Sequence, residues 1–204
     1  MPLTGGQRTD HRLGEYKVHV EDRNATSMIG DILSQLMEQQ WYMAQELVVL
    51  CIGTDRSTGD ALGPLIGSKL EEALPNGVFV HGTLDYPVHA TNLVETMDYI
   101  RRAYQRPLVV AVDACLGQAD SVGMITIGCG PMRPGAGVNK ELPQVGDLYL
   151  TGIVNVGGFM EYFVLQNTRL NLVVKLANTI AHGILASIRK LERNSMAYSK
   201  LLDS

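Results

Sequence analysis

Two aspartates carry the chemistry this chain is best equipped to perform. Asp60 stands in the loop GTDRSTGDALGP, directly after an apolar stretch, and Asp113 closes the apolar run of VVAVDACLG. A glycine-rich loop in that place first suggests a phosphate cradle, which requires G-x-x-x-x-G-K-[ST] so that backbone N–H groups wrap the phosphates while lysine neutralises them. Here five residues separate Gly53 from Gly59, and the position of the lysine is held by Asp60. A carboxylate repels phosphate, so the loop displays an acid instead. If Asp60 and Asp113 face each other, repulsion splits their titration, leaving one protonated while the other is ionised. That is the state an acid/base pair needs to activate water.

Each aspartate also has a plain structural use. Asp60 is a good helix N-cap, yet as a cap it would put Pro64 at the fourth helical position, where an N–H is already required. A helix starting a residue or more later leaves Asp60 free to face a cleft. Asp113 suits an Asx-turn, but a carboxylate ending a wholly apolar strand sits half in the core, where desolvation raises its pKa.

The elements that must position these acids are legible from periodicity. Met28, Ile29, Ile32, Leu33, Leu36 and Met37 recur at steps of three and four through ATSMIGDILSQLMEQQ, an amphipathic helix with Thr26 or Ser27 as its cap. ELVVLCIG reads as a buried strand, ALGPLIGSKLEEAL as a helix, GVFVHGTL as a second strand, TNLVETMDYIRRAY as a helix and PLVVAVDACLG as a third strand. Strand and helix in alternation, with near-continuous apolar strands, predict a mainly parallel sheet covered on both faces. SVGMITIG follows after too short a connection for a crossover helix, so it is expected to run antiparallel to its predecessor. The long loop CGPMRPGAGVNKELPQVG has the length of a functional loop. DLYLTGIVN is then a strand, and after Gly157-Gly158 the chain is helical, with Leu172, Leu176, Ile180, Ile184 and Ile188 on one stripe. The expected architecture is a three-layer α/β/α domain with a mixed, mainly parallel sheet over residues 25–204. The polar residues 1–24, without a period, read as a flexible N-terminal arm.

Composition sets outer limits. With 204 residues, 46% of them hydrophobic and 19% charged, the chain can bury one sizeable core. A net charge of −4 and scattered basic residues give no electrostatic case for nucleic acid. The apolar runs are strand-sized and the first residues lack the apolar core of a signal peptide, so a cytoplasmic protein without a membrane partner is expected. Cys51, Cys115 and Cys129 are too widely spaced for a Cys-x-x-Cys metal site or a disulfide framework. No Gly-x-Ser-x-Gly elbow is present, which leaves nucleophilic catalysis without support.

GTDRSTGDALGP, GTLDYPVHATNL, VVAVDACLG and PGAGVNKELPQVGDLYLTGIVNVGG together resemble the YyaC-type sporulation protein family over roughly residues 26–192. That family is related to the spore germination protease and, more distantly, to the hydrogenase maturation proteases. The resemblance to the germination protease itself is narrower, resting on D-A-L-G-P and on an aspartate ending a later strand. It implies a fold of that protease group, an aspartate-dependent peptidase with Asp60 and Asp113 as its catalytic pair, and a protein or peptide substrate in the sporulating cell. In the hydrogenase maturation enzymes the matching acids, with a histidine from a later loop, coordinate their substrate's nickel. This chain has no histidine after Asp113 until His182, inside the terminal helix, and Glu141 and Asp147 are hard oxygen donors that suit nickel or zinc poorly. No metal and no cofactor are therefore expected.

Thr54 and Asp55 in the same loop as Asp60, Asp85 and His89 after the second strand, and Gly157-Gly158 before the late helix are candidates for contacting substrate. Asp85 equally suits a turn before Tyr86-Pro87, His89 a structural hydrogen bond, the glycine pair a tight connection, and Lys140-Glu141 an exposed charge pair. The alternative function is a catalytically inactive member of the fold that binds a protein or peptide through the same cleft, with self-association possible in either case.

Overall fold

The computed structural model describes residues 14–41, 44, 46–75, 77–135 and 142–202. In chain order these form β1 (Tyr16–His19), α1 (Ala25–Trp41), β2 (Glu46–Cys51), α2 (Leu62–Glu71), β3 (Val78–His81), α3 (Leu93–Ala103), β4 (Pro107–Gly117), β5 (Met124–Cys129), β6 (Leu148–Val156), α4 (Glu161–Gln166) and α5 (Leu170–Leu202). The described strands make one sheet in the order β1-β5-β6-β4-β2-β3. β3, β2, β4 and β6 run parallel, while β5 is antiparallel to β6 and β1 antiparallel to β5. The mixed, mainly parallel α/β architecture expected from the alternation of elements is present.

β4 shows why the strands read as apolar runs. Leu108, Val110 and Val112 point into one core with α1, α2 and α5, whereas Val109 and Ala111 point into a second core with α3. Successive side chains alternate across the sheet, so a strand covered on both faces needs apolar residues at every position. Each buried Val or Leu contributes roughly 1.5–3 kcal/mol over exposure to water. In α3 the burial falls on Leu93, Met97 and Ile100, one helical stripe. In α5 it falls on Leu176, Ile180, Ile184 and Ile188. α5 is long and apolar enough, by length and composition, to cross a membrane, but in this fold its stripe is covered by α1, α2 and the sheet. α1 and α5 meet through Gly30 and Gly183, where a Cβ on Gly183 would press into Ile29.

Three features differ from the sequence reading. Residues 16–19, expected to lie in a flexible arm, form an edge strand hydrogen-bonded to β5, with Val18 buried at 2% exposure. β5 does run opposite to β4 but does not neighbour it, because β6 inserts between them. α1 starts at Ala25 with the first helical bond from Met28 N–H to the Asn24 carbonyl, so Thr26 and Ser27 lie inside the helix rather than capping it.

Candidate functional site

β2 ends partway along β4, with Cys51 opposite Val112 and Ile52 N–H donating to the Val112 carbonyl at 2.7 Å, while β4 runs on beside β6 to Gly117, so that Asp113 lies within the strand rather than ending it as the sequence reading expected. Just beyond, Gly53 N–H donates to the Val88 carbonyl at 2.8 Å and the chain doubles back, so that Thr54 N–H reaches the Asp60 carbonyl at 3.1 Å. Gly53 makes this possible: its φ of +149° is a glycine conformation, and a Cβ there would overlap the Asp60 carbonyl. At Gly63 a Cβ would overlap the Ile52 carbonyl, so the first turn of α2 lies directly on the strand end. α2 begins at Leu62, with Ala61 in the N-cap position and no side chain capping it. Pro64 is thus the third helical residue, where no intrahelical N–H bond is lost, and the Asp60 carboxyl is not used as a cap.

Asp113 projects from β4 on the face of Val109 and Ala111 and is 7% exposed. Its Oδ1 accepts from Ala114 N–H at 2.8 Å and its Oδ2 from Gly135 N–H at 3.0 Å. Burial raises its pKa to about 7, against the two backbone donors, which lower it, and the nearby charge of Asp60 adds to the rise. Desolvation dominates because a carboxylate loses far more solvation than two amides return. Asp60 is half-buried, and burial raises its pKa also, with the Ser57 hydroxyl drawing it partly back. Asp60 thus lies near enough for its charge to add to the rise at Asp113, and of the two predicted acids Asp113 is the deeper. Beside them on the same face, Cys115 has a thiol pushed up to about 11 by burial, with Thr151 on β6 acting the other way. Such a thiol is a poor nucleophile.

The remaining candidates distribute over three places. Thr54 is in the Asp60 loop, its hydroxyl accepting from Arg56 N–H at 3.4 Å, while Asp55 is exposed. Asp85 and His89 line a separate cavity of about 730 Å³ beside β3, together with His81, Asn92, Glu95 and Tyr99, and neither Asp60 nor Asp113 lines it. His89 Nδ1 pairs with the Thr91 hydroxyl at 2.9 Å, so the residue makes the local hydrogen bond of its structural reading. Gly157 belongs to an apolar groove with Val156, Phe159, Met160 and Phe163, and its N–H donates to the Gly117 carbonyl at 2.8 Å. Gly158 N–H faces the Glu161 carboxyl at 3.4 Å. Lys140 and Glu141 lie outside the described residues. Among the described residues, no three His, Cys, Asp or Glu side chains gather as a metal site. Gly135 and Ser57 are the site residues that the sequence reading missed. The length of the loop after β5 was the only signal for Gly135, and Ser57 gave none beyond its place in the Asp60 loop.

Comparison with known proteins adds four likenesses. The profile of a family described as "Protein of unknown function (DUF1256)" matches residues 17–183. The "Uncharacterized protein YyaC" of Bacillus subtilis (strain 168) is 52% identical over 176 residues, 86% of this chain and 84% of that protein. The crystal structure of a [NiFe] hydrogenase maturation protease, HycI from Thermococcus kodakarensis KOD1, overlaps 78% of this chain and 99% of its own at 19% identity and a TM-score of 0.49. A hydrogenase 3 maturation protease overlaps 68% of this chain and 88% of its own at 17% identity and a TM-score of 0.39. Neither overlap bears on the chemistry of the site, which is read from Asp60 and Asp113 themselves.

Proposed function

The chain belongs to the DUF1256 family, and on that premise we propose that it is a hydrolase of peptide bonds that works through the pair Asp60 and Asp113. The observation that carries this reading is a buried Asp113 carboxyl with a pKa raised to about 7, in part by the charge of Asp60. At neutral pH the more exposed Asp60 takes the charge and Asp113 the proton, an assignment that follows from their burial. Asp60 removes a proton from water as the water oxygen bonds to the peptide carbonyl carbon. Asp113 donates its proton to the developing oxyanion. Collapse breaks the C–N bond, the nitrogen leaves with a proton returned through the pair, and the carboxyls regain their starting states. No covalent enzyme intermediate is needed, in keeping with the half-buried, unionised Cys115.

The substrate is a protein or peptide, the compartment the cytoplasm, and the setting the sporulating cell. The last of these rests on the sequence resemblance alone. The reading is tested by incubating the full chain with small spore proteins and with denatured polypeptides, then repeating with Asp60→Asn and Asp113→Asn. Cleavage that disappears in both variants is the expected result. Cleavage that persists in either, or binding without any cleavage in the native chain, overturns it.

A further inference from the structure

The turn that carries Asp60 also carries a polar group left without a partner. Ser57 is 6% exposed, and its fully buried hydroxyl makes no hydrogen bond of acceptable geometry among the described residues. Native structures rarely leave a buried hydroxyl unpaired, since it has given up water and received nothing in return. The turn fixes where this hydroxyl can look. Ala61 N–H donates to the Ser57 carbonyl at 3.0 Å, closing one helical turn that sets Ser57 and Asp60, three residues apart, on one side. The turn is pinned from both flanks, by Thr54 N–H on the Asp60 carbonyl and by Gly59 N–H on the Leu165 carbonyl at 2.9 Å. At Gly59 a Cβ would press into Leu165, so α4 lies against the loop two residues from the buried Ser57. The group beside the hydroxyl is the Asp60 carboxyl, whose proton affinity it lowers.

We propose that Ser57 is a positioning residue of this site, whose hydroxyl turns to donate to the ionised Asp60 carboxylate and so leaves the shared proton of the pair on Asp113. The proposal rests on the acid-pair reading above and adds to it the residue that holds Asp60 ionised as the base. Asp113 already accepts from Ala114 N–H and Gly135 N–H, which favour its ionised form, so a donor on Asp60 works with the deeper burial of Asp113 to keep the proton there. The ionisable groups on the surrounding elements are Asp113 on β4, exposed Asp55 and Arg56 on the same loop, His89 after β3, exposed Arg133 before Gly135, and Glu161 on α4. Of these, Asp113 is the one whose proton affinity the Asp60 charge raises. Ser57 is thus the neutral side chain that acts on Asp60, as the backbone N–H groups of Ala114 and Gly135 act on Asp113.

The test is a ¹³C-carboxyl NMR titration of the full chain labelled at aspartate, with Asp60→Asn and Asp113→Asn assigning the two signals. The unaltered chain shows a coupled pair titrating in two steps. In Ser57→Ala the ionised fraction of Asp60, at a pH below the lower step, falls roughly tenfold, because one hydrogen bond to a charged acceptor is gone. Ser57→Thr, which keeps the hydroxyl, restores it, and Ser57→Cys, a weaker donor, behaves as the alanine variant does. Thermal unfolding of each variant at pH 5 reports that the fold is intact. Titration curves of Ser57→Ala and Ser57→Cys that superpose on that of the unaltered chain, with the pair still coupled, overturn the role of Ser57 alone. An Asp60 titration unmoved by Asp113→Asn overturns the coupled pair, and the role of Ser57 falls with it.

Discussion

Replacing Asp113 with asparagine changes how stability depends on pH, and the sign follows from burial. The folded Asp113 carboxyl holds its proton up to about 7, whereas in the unfolded chain it releases it near the ordinary 3.8. Between those values the native state binds more protons than the unfolded state, so the free energy of unfolding falls as pH rises. The contribution is complete below the unfolded value and lost as pH passes through the folded one. The rise from 3.8 to about 7 corresponds to about 4 kcal/mol. Asparagine removes the titration but gives up one acceptor, placing an NH₂ where a carboxyl oxygen faced the N–H of Ala114 or Gly135, at a pH-independent cost of about 1–3 kcal/mol. Asp113→Asn is therefore less stable than the unaltered chain at pH 4 and more stable at pH 8, the two stability curves crossing in between. The difference between the variants changes by about 4 kcal/mol across that range, or about 10 °C in Tm for a chain of this size. Urea unfolding at half-unit pH steps, with m-values compared to verify that the unfolded states match, measures it directly. Parallel stability curves for the two proteins would refute the reasoning, because they would mean that Asp113 titrates alike whether folded or not.

Hydrolysis falls as pH rises above about 7, where Asp113 loses the proton it must donate, and falls again at acid pH as Asp60 becomes protonated; a rate that keeps rising from pH 7 to 9 contradicts that assignment. Gly53→Ala overlaps the Asp60 carbonyl and strains a backbone at φ +149°, so a loss of about 3 kcal/mol or more in chemical denaturation is expected, and a loss below 1 kcal/mol is not. Met160 sits at φ +54° with a side chain 54% exposed, so Met160→Gly relieves strain with little packing lost and raises stability by about 0.5–1 kcal/mol; a drop in Tm counts against it. A thiol-reactive dye at pH 8 labels exposed Cys129 rapidly and leaves Cys51 and Cys115 untouched, the latter because its thiol is pushed up to about 11; a second fast equivalent contradicts this.

The parts of the fold set by local pattern were legible in the sequence. β4 spans the residues its apolar run implied, α5 buries Leu176, Ile180, Ile184 and Ile188 of the stripe its spacing implied, and Pro64 correctly argued that α2 starts beyond Asp60. What depends on distant partners was not legible. β1 is four residues long, too short for an alternation to stand out, and exists because Val18 finds the core beside β5. Gly135 meets Asp113 across 22 residues of chain, a contact that no local pattern encodes. Ser57 looks like any polar loop residue in the sequence, and its burial shows only once the loop is folded, with Gly59 bonded to Leu165 far along the chain. Asp85 and His89 share a sheet edge with the acids, but the turn that joins Thr83 N–H to the Tyr86 carbonyl directs them to another cavity.

β1 also settles what kind of boundary the sheet presents on that side. Four residues recruited from ahead of the first helix occupy the main-chain donors and acceptors along β5, and Lys17 puts a charge on the outermost strand. Without them, the six-residue rim of β5 would stand open to any passing strand, including the same strand of another molecule, whereas with them the exposed rim of the described sheet is the four residues of β1. Those residues therefore act as a guard against stacking between copies, and a chain trimmed to begin at Ala25 would scatter light increasingly with concentration where the full one does not.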